Sequence, residues 1–311
     1  MKVLITDNIN KCVKDIISET AEAVFLPTMS EEEIIKIIGE YDALMVRSQT
    51  KVNRNIIETG KKLKIIGRAG VGVDNIDVNA ATEKGIIVVN SPDGNTIAAS
   101  EHTIALMLAI SRNIVPASQS TKEGKWNRDA FTGTELFGKT LGVMGFGRIG
   151  RKVVNIALSI GMKVIVYDPF ANEEMVNKKG ALYETSLDNF LKTLDYLSIH
   201  IPKTSDTINI INKENINKMK KGTIIINCSR GGLVNENDLK EALENGQISA
   251  AAIDVYENEP KIETCPLINY NGNNIILTPH LGASTKEAQI NVALDVASQI
   301  KKVLSGGYTD S

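Results

Sequence analysis

The sequence predicts an α/β protein of about two domains, each built on a parallel β-sheet covered on both faces by helices. Three observations carry this. Short, continuous apolar runs alternate with helical stretches along the chain, as strands buried on both faces require. The chain has 311 residues, more than one hydrophobic core usually spans. A glycine-rich turn, Gly145–Gly150, falls between one such run and a helical stretch.

The elements follow in order. Lys2–Thr6 reads as the first strand. Ser30 with Glu33 forms a capping-box signature ahead of Ile34, Ile35, Ile37 and Ile38. Asp42–Val46, Leu63–Gly67 and Ile86–Val89 are the next strands, and Asp77–Lys84 is a helix stopped by Gly85. Asn95–Arg112 reads as one long helix, with Ile97, Ile104 and Leu108 on its apolar face, placed to connect two domains. The alternation then resumes. Strands are expected at Thr140–Met144, Lys163–Tyr167, Tyr196–Ile199, Thr223–Asn227, Ala250–Val255 and Ile275–Leu277. A helix over Ile149–Ile160 closes at Gly161, and a last helix covers Lys286–Leu304.

Composition excludes several classes. With 42% apolar and 23% charged residues the chain is a globular protein, not a disordered one. A formal net charge of -2 argues against nucleic acid as a partner. Cys12, Cys228 and Cys265 are odd in number and widely spaced, which fits neither a disulfide framework nor a metal site. Met1–Asp7 reads as a strand, not a signal peptide, and no apolar run is long enough to cross a bilayer. No membrane partner and a cytoplasmic location are expected.

Gly145-Phe146-Gly147-Arg148-Ile149-Gly150 has the G-x-G-x-x-G form, follows a strand and opens a helix. In that context the first glycine makes the tight turn and the second admits a pyrophosphate. The third lets helix and strand pack closely, while the helix N-terminus holds the negative charge. The following strand ends in Asp168, suited to accept hydrogen bonds from a ribose and to repel a 2′-phosphate. The expected cofactor is NAD.

Ligands of parallel sheets sit beyond the carboxyl ends of strands. Reading those ends gives Cys228, Ser229 and Arg230 after one strand, Glu259 after the next, and His280 after the last. Removing hydride from an alcohol needs a base for the hydroxyl proton, and histidine titrates nearest neutrality. A carboxylate orients such a ring, and an arginine forks onto a substrate carboxylate. Arg230, Glu259 and His280 are the catalytic candidates. His200 is expected to line the nicotinamide side, and His102, within the linking helix, is assigned to packing or surface. In the first domain, Arg47 and Ser48, then Arg68 and Gly70, then Asn95, follow strands. Two arginines in one cleft suggest a small anionic substrate, with Gly70 and Gly72 offering backbone N–H groups.

These motifs resemble the D-2-hydroxyacid dehydrogenase family over about Met1 to Leu304. The resemblance is carried by Val46-Arg47-Ser48, Gly67–Asn75, Gly124-Lys125-Trp126 and Gly145–Gly150. Asn227–Gly232, Asp254–Pro260 and Thr278–Thr285 continue it. It implies a flavodoxin-like substrate domain, residues 1–97 plus 285–311, and a Rossmann NAD domain, residues 98–284, with a cleft between them. It implies a substrate-binding Arg230 and a Glu259–His280 proton relay. Arg148, Ile149, Asp168, Ile201, Pro202, Thr207, Asp254, Gly282 and Ala283 would contact the cofactor. Arg47, Arg68 and Asn95 would contact the substrate, and Arg128 would reach the partner's site in a homodimer. Within the family, the branch that oxidises 3-phospho-D-glycerate, the first step of phosphorylated L-serine biosynthesis, is the closest in motif. Glyoxylate or hydroxypyruvate reduction is the alternative, and a non-enzymatic NAD-binding corepressor a distant one. Asp93 departs from the family's neutral asparagine. The chain stops at Ser311, and a short form without the C-terminal regulatory domain is expected.

Overall fold

The structure is a computed structural model that describes residues 1–308. The end of the tail expected after the last helix, residues 309–311, lies outside the described residues. The chain divides into two compact units. One comprises Met1–Thr96 with Ala283–Ser311, the other Ile97–Gly282.

The first unit holds five strands: β1 (Lys2–Ile5), β2 (Glu22–Phe25), β3 (Ala43–Val46), β4 (Ile65–Arg68) and β5 (Ile87–Asn90). All pair in parallel, in the order β2-β1-β3-β4-β5. Alternate side chains feed two cores. Val3, Ile5, Met45 and Ile65 face the C-terminal helix Lys286–Leu304, whose Val292, Val296, Ile300 and Leu304 recur at helical spacing. Leu4, Leu44, Val46 and Ile66 face Ile34, Ile38, Ile56 and Ala80 on the other side. Burial of that stripe is why the end of the chain belongs to the first unit.

The second unit holds β6 (Thr140–Met144), β7 (Lys163–Tyr167), β8 (Leu182–Tyr183), β9 (Tyr196–Ile199), β10 (Thr223–Asn227), β11 (Ile248–Ile253) and β12 (Ile275–Leu277). Their order is β12-β11-β10-β9-β6-β7-β8, again all parallel. Both faces are covered by apolar cores, one around Leu141, Val153 and Val164, the other around Phe190, Leu197 and Ile225. Helix starts are set locally. Ser30 makes the expected capping box with Glu33, and Asn53, Asp77, Asn172, Ser186, Asn212, Asn235 and Thr285 each accept from a first-turn amide.

The linking helix runs over Thr96–Ser111, within the expected span, but its buried face differs from the expected one. Ile104 is buried, with Ala99, Thr103, Met107 and Ile110, whereas Ile97 and Leu108 are 52% and 44% exposed. Ser100, Thr103 and Ser111 are buried while Ile97 and Leu108 lie outside, so apolar periodicity does not single out its inner face. No helix among the described residues is long and apolar enough to cross a membrane.

Candidate active site and its family

Strand order reverses once in each sheet, between β1 and β3 in the first and between β6 and β9 in the second. Such reversals open a crevice at the carboxyl ends of the strands, where ligands bind. In the second unit the glycine turn lies there. Gly145 has φ +100°, and a Cβ on it would come within 2.5 Å of the His200 carbonyl oxygen, just past β9. A Cβ on Gly150 would run into the Gly145 carbonyl, so the helix Arg148–Ser159 can approach β6 only with glycine here. Beside Gly147, in contrast, the space is open, and this residue caps the helix without a side-chain bond. The helix therefore opens with exposed N–H groups and no side chain in front of them, which fits a pyrophosphate. Asp168 is held against this turn. Its two carboxylate oxygens accept from the N–H groups of Phe146 at 2.7 Å and Phe170 at 2.9 Å. Arg148 is exposed and Ile149 half-buried at the mouth of the helix.

The loops after β9 and β10 are laced together. The Ser229 hydroxyl donates to the Ile201 carbonyl at 2.8 Å, and the Thr207 hydroxyl to that of Pro202 at 2.8 Å. Both hydroxyls, at positions expected near the cofactor, thus brace these loops. His200 shares a 2.8 Å hydrogen bond with the Ser198 hydroxyl, and burial pushes its pKa down to about 4. Its folded value lies below the unfolded one, near 6.5. The neutral ring therefore stabilises the fold fully above pH 6.5, and that contribution is lost as pH falls toward 4. Discounted for a half-buried ring, the loss amounts to about 2 kcal/mol. Urea unfolding at pH 7.5 and 4.5 should therefore show His200→Gln losing about 2 kcal/mol less than wild type. Equal losses would discard this account of the ring.

At the far side of the sheet, Glu259 and His280 meet. Oε2 of Glu259 lies 2.5 Å from Nδ1 of His280, while Oε1 accepts the Tyr256 N–H at 2.7 Å. A carboxylate only accepts, so Nδ1 carries the hydrogen and the neutral ring keeps Nε2 free as a base. The His280 side chain is 47% exposed, open to a ligand. Arg230 is half-buried at the end of β10. Its guanidinium donates to the Ser229 carbonyl at 2.8 Å, and the Asn227 side chain bridges the Ser229 N–H and the Arg230 carbonyl. Gly231, the next residue, packs directly on the backbone of Tyr256 and Glu257, so the arginine loop abuts the glutamate loop.

Asp254 is fully buried and its carboxylate is engaged by four donors, Thr278, Leu281, Gly282 and His102. Burial alone would raise its pKa, but the bonds from His102, Thr278 and Leu281 more than offset it and hold the carboxyl below its usual range. Cys228 is half-buried, its thiol pushed up to about 12 by burial and by Asp254, so it stays protonated. His102, expected in packing or at the surface, instead joins this network. No sequence signal marks it, because its partners Asp254 and Thr278 lie just past strands far along the chain.

In the first unit, Arg47 follows β3 at the sheet's reversal. The buried Asp7 carboxylate fixes that loop by accepting from the N–H groups of Arg47 and Thr50 at 2.8 and 3.0 Å. Arg47 lines a cavity of about 90 Å³ with Asn8, Asn10 and Gln289. Ser48 is exposed. The Arg68 guanidinium folds over Gly70, whose own N–H is taken by the Arg68 carbonyl at 2.8 Å. The glycine there makes room for the arginine, and its amide is already bonded. Around the start of the linking helix, the buried Ser91 Oγ, Asn95 Oδ1 and Thr96 Oγ1 have no hydrogen-bond partner. Arg128 lies in a short 3₁₀ turn, Arg128–Phe131, within an exposed stretch.

Residues 104–282 match the profile of the D-isomer specific 2-hydroxyacid dehydrogenase, NAD binding domain. The chain belongs to that family. It is similar to D-3-phosphoglycerate dehydrogenase of Synechocystis sp., 52% identical over 98% of this chain and 54% of the relative. It is also similar to hydroxypyruvate reductase of Thermotoga maritima, 46% identical over 89% of each chain. Among solved structures, D-lactate dehydrogenase of Aquifex aeolicus, complexed with NAD and lactic acid, superposes with a TM-score of 0.87. It is 28% identical and is matched over 98% of this chain and 96% of that one. The chain spans between 54% and 59% of the length of the phosphoglycerate dehydrogenases from Synechocystis, Methanocaldococcus jannaschii and Archaeoglobus fulgidus. The fold expected of the family, two parallel-sheet α/β units, is the fold observed.

Proposed function

We propose that the protein oxidises 3-phospho-D-glycerate to 3-phosphohydroxypyruvate with NAD. The observation that carries the chemistry is the Glu259–His280 pair at 2.5 Å in the unit that holds the dinucleotide turn. The glycine turn and Asp168 would hold NAD, which when bound accepts a hydride from C2 of the substrate. The remaining work belongs to the chain. His280 Nε2 takes the C2 hydroxyl proton as the carbonyl forms, and the Glu259 carboxylate holds the ring and offsets its new positive charge. Arg230 binds the substrate carboxylate and polarises the developing carbonyl. The unpartnered oxygens of Ser91, Asn95 and Thr96 support a polar ligand in the first unit.

Arg47 and Arg68 support the phosphorylated substrate. The resemblance to hydroxypyruvate reductase, matched over 89% of both chains, favours a second reading, in which the substrate carries no phosphate. The two separate on one experiment. If the arginines bind phosphate, Arg47→Ala and Arg68→Ala should each lower kcat/KM for 3-phosphoglycerate by roughly 10–100-fold, the worth of a charged hydrogen bond. The loss for D-glycerate should be much smaller. Equal losses on both substrates would favour the second reading.

A homodimer belongs to the same proposal. Ile97, Leu108, Ile114, Val115, Trp126 and Phe137 are all large apolar side chains at least 44% exposed, crowded into one stretch of chain beside Arg128. A monomer in sedimentation velocity would remove it. Three free cysteines suit the reducing cytoplasm proposed as its location.

A further inference from the structure

We propose that His102 is a positioning residue for the reaction, acting through Asp254 on the loop that carries His280. This rests on the reading of His280 as the proton acceptor.

The loop needs holding. His280 has φ +55°, in the left-handed region that a residue with a Cβ occupies only when its surroundings impose it. Before it, the Thr278 hydroxyl donates to Asp254 Oδ1 at 2.5 Å. After it, the N–H of Leu281 donates to the same oxygen at 2.7 Å and that of Gly282 to Oδ2 at 2.9 Å. The His280 N–H itself reaches the Asp254 main-chain carbonyl at 2.9 Å. One buried carboxylate therefore fixes both flanks of the base.

Three of the four donors to that carboxylate come from the loop it holds. The fourth is His102, on the linking helix, with Nε2 3.3 Å from Oδ1 and a side chain 19% exposed. Since Asp254 is held ionised, Nε2 must be the donor. Among the described residues, His102 is thus the one side chain that ties the carboxylate to a part of the unit other than the loop, and its Nε2 also lies 3.5 Å from the Thr278 hydroxyl. Without it, a fully buried carboxylate loses a donor and the loop loses its tie to the linking helix.

A metal explains the cluster less well. His102, Cys228 and Asp254 offer ligand atoms within 4.8 Å of one another. Yet the Asp254 oxygens are already engaged by protein donors.

The test compares His102→Leu, which removes the donor, with His102→Gln, which keeps an N–H. His102→Phe replaces the first if it does not fold. Hydrogen exchange of the segment Thr278–Gly282 in the full chain reads the tie without any need for activity. Steady-state oxidation of 3-phosphoglycerate and of D-glycerate at saturating NAD reads its consequence. The leucine variant should exchange this segment about tenfold faster or more and lose roughly tenfold or more in kcat, with KM and NADH affinity within about twofold. Glutamine should recover most of both. Unchanged exchange in the leucine variant, or equal damage from leucine and glutamine, would overturn the proposal. A wild-type protein inactive on every 2-hydroxy acid would instead overturn the proposed function, while the exchange measurement would still decide the tie.

Discussion

His280→Ala is expected to lower kcat by roughly two to four orders of magnitude, the usual worth of a positioned base. The expectation follows from the tautomer the pair enforces. With Nδ1–H committed to Glu259 at 2.5 Å, Nε2 is the one ring nitrogen able to accept a proton, and the ring is open to a ligand. Alanine leaves the hydroxyl proton without an acceptor just as hydride departs. The dinucleotide turn depends on Gly145, Gly150 and Asp168, none of which touches the ring, so NADH affinity should stay within about twofold of wild type. Glu259→Gln should fall between the two. It keeps an acceptor for Nδ1–H but loses the charge opposite a protonated imidazole. Titration of NADH by fluorescence, beside turnover on 3-phosphoglycerate, separates binding from chemistry. Near-normal turnover in His280→Ala would remove the residue from the mechanism.

Arg230, Glu259 and His280 are legible in the sequence because each falls in the segment that follows a mostly apolar strand, β10, β11 and β12 in turn. β6, β7, β9, β10 and β12 have the expected bounds, their runs of Val, Ile, Leu, Tyr and Met standing out from the polar segments around them. β11 runs over Ile248–Ile253, two residues earlier than Ala250–Val255, because an alanine-rich strand has little polar contrast at its ends. The edge strands β2 (Glu22–Phe25) and β8 (Leu182–Tyr183) are not legible in the sequence, being only partly buried. The linking helix was legible, its inner face was not. At the site, the types of residue were legible, but the depth of Asp254 and the part played by His102 were not. Both depend on hydrogen bonds between loops that neither periodicity nor spacing brings together. Gly70 shows the same limit, since only three dimensions reveal that its neighbour Arg68 fills the space a side chain would need.

Gly231→Ala is expected to reduce kcat/KM by at least about a hundredfold, although this residue has no side chain to offer a substrate. A Cβ here would fall on the main-chain carbonyl of Tyr256 and lie 2.8 Å from the nitrogen of Glu257. All of these are backbone atoms, so no rotamer change relieves the clash, and one loop must move off the other. On one side sits Arg230, held by Asn227 and by its bond to the Ser229 carbonyl. On the other, the Tyr256 N–H holds Oε1 of Glu259, and the Tyr256 hydroxyl donates to the Thr278 carbonyl at 3.0 Å, two residues before His280. The Glu257 N–H donates to the buried Glu236 at 2.9 Å, which resists movement of that loop. Relief of one methyl group therefore displaces either the arginine or the histidine–glutamate pair, and a shift of about 1 Å is enough to cost about a hundredfold in an oriented reaction. The overpacking should also cost about 1–3 kcal/mol of stability. Turnover and urea unfolding on the same variant check both, and NADH affinity should change far less than kcat. A variant with near-normal turnover would mean that the two loops separate freely and that Arg230 is not held in register with His280 by this contact.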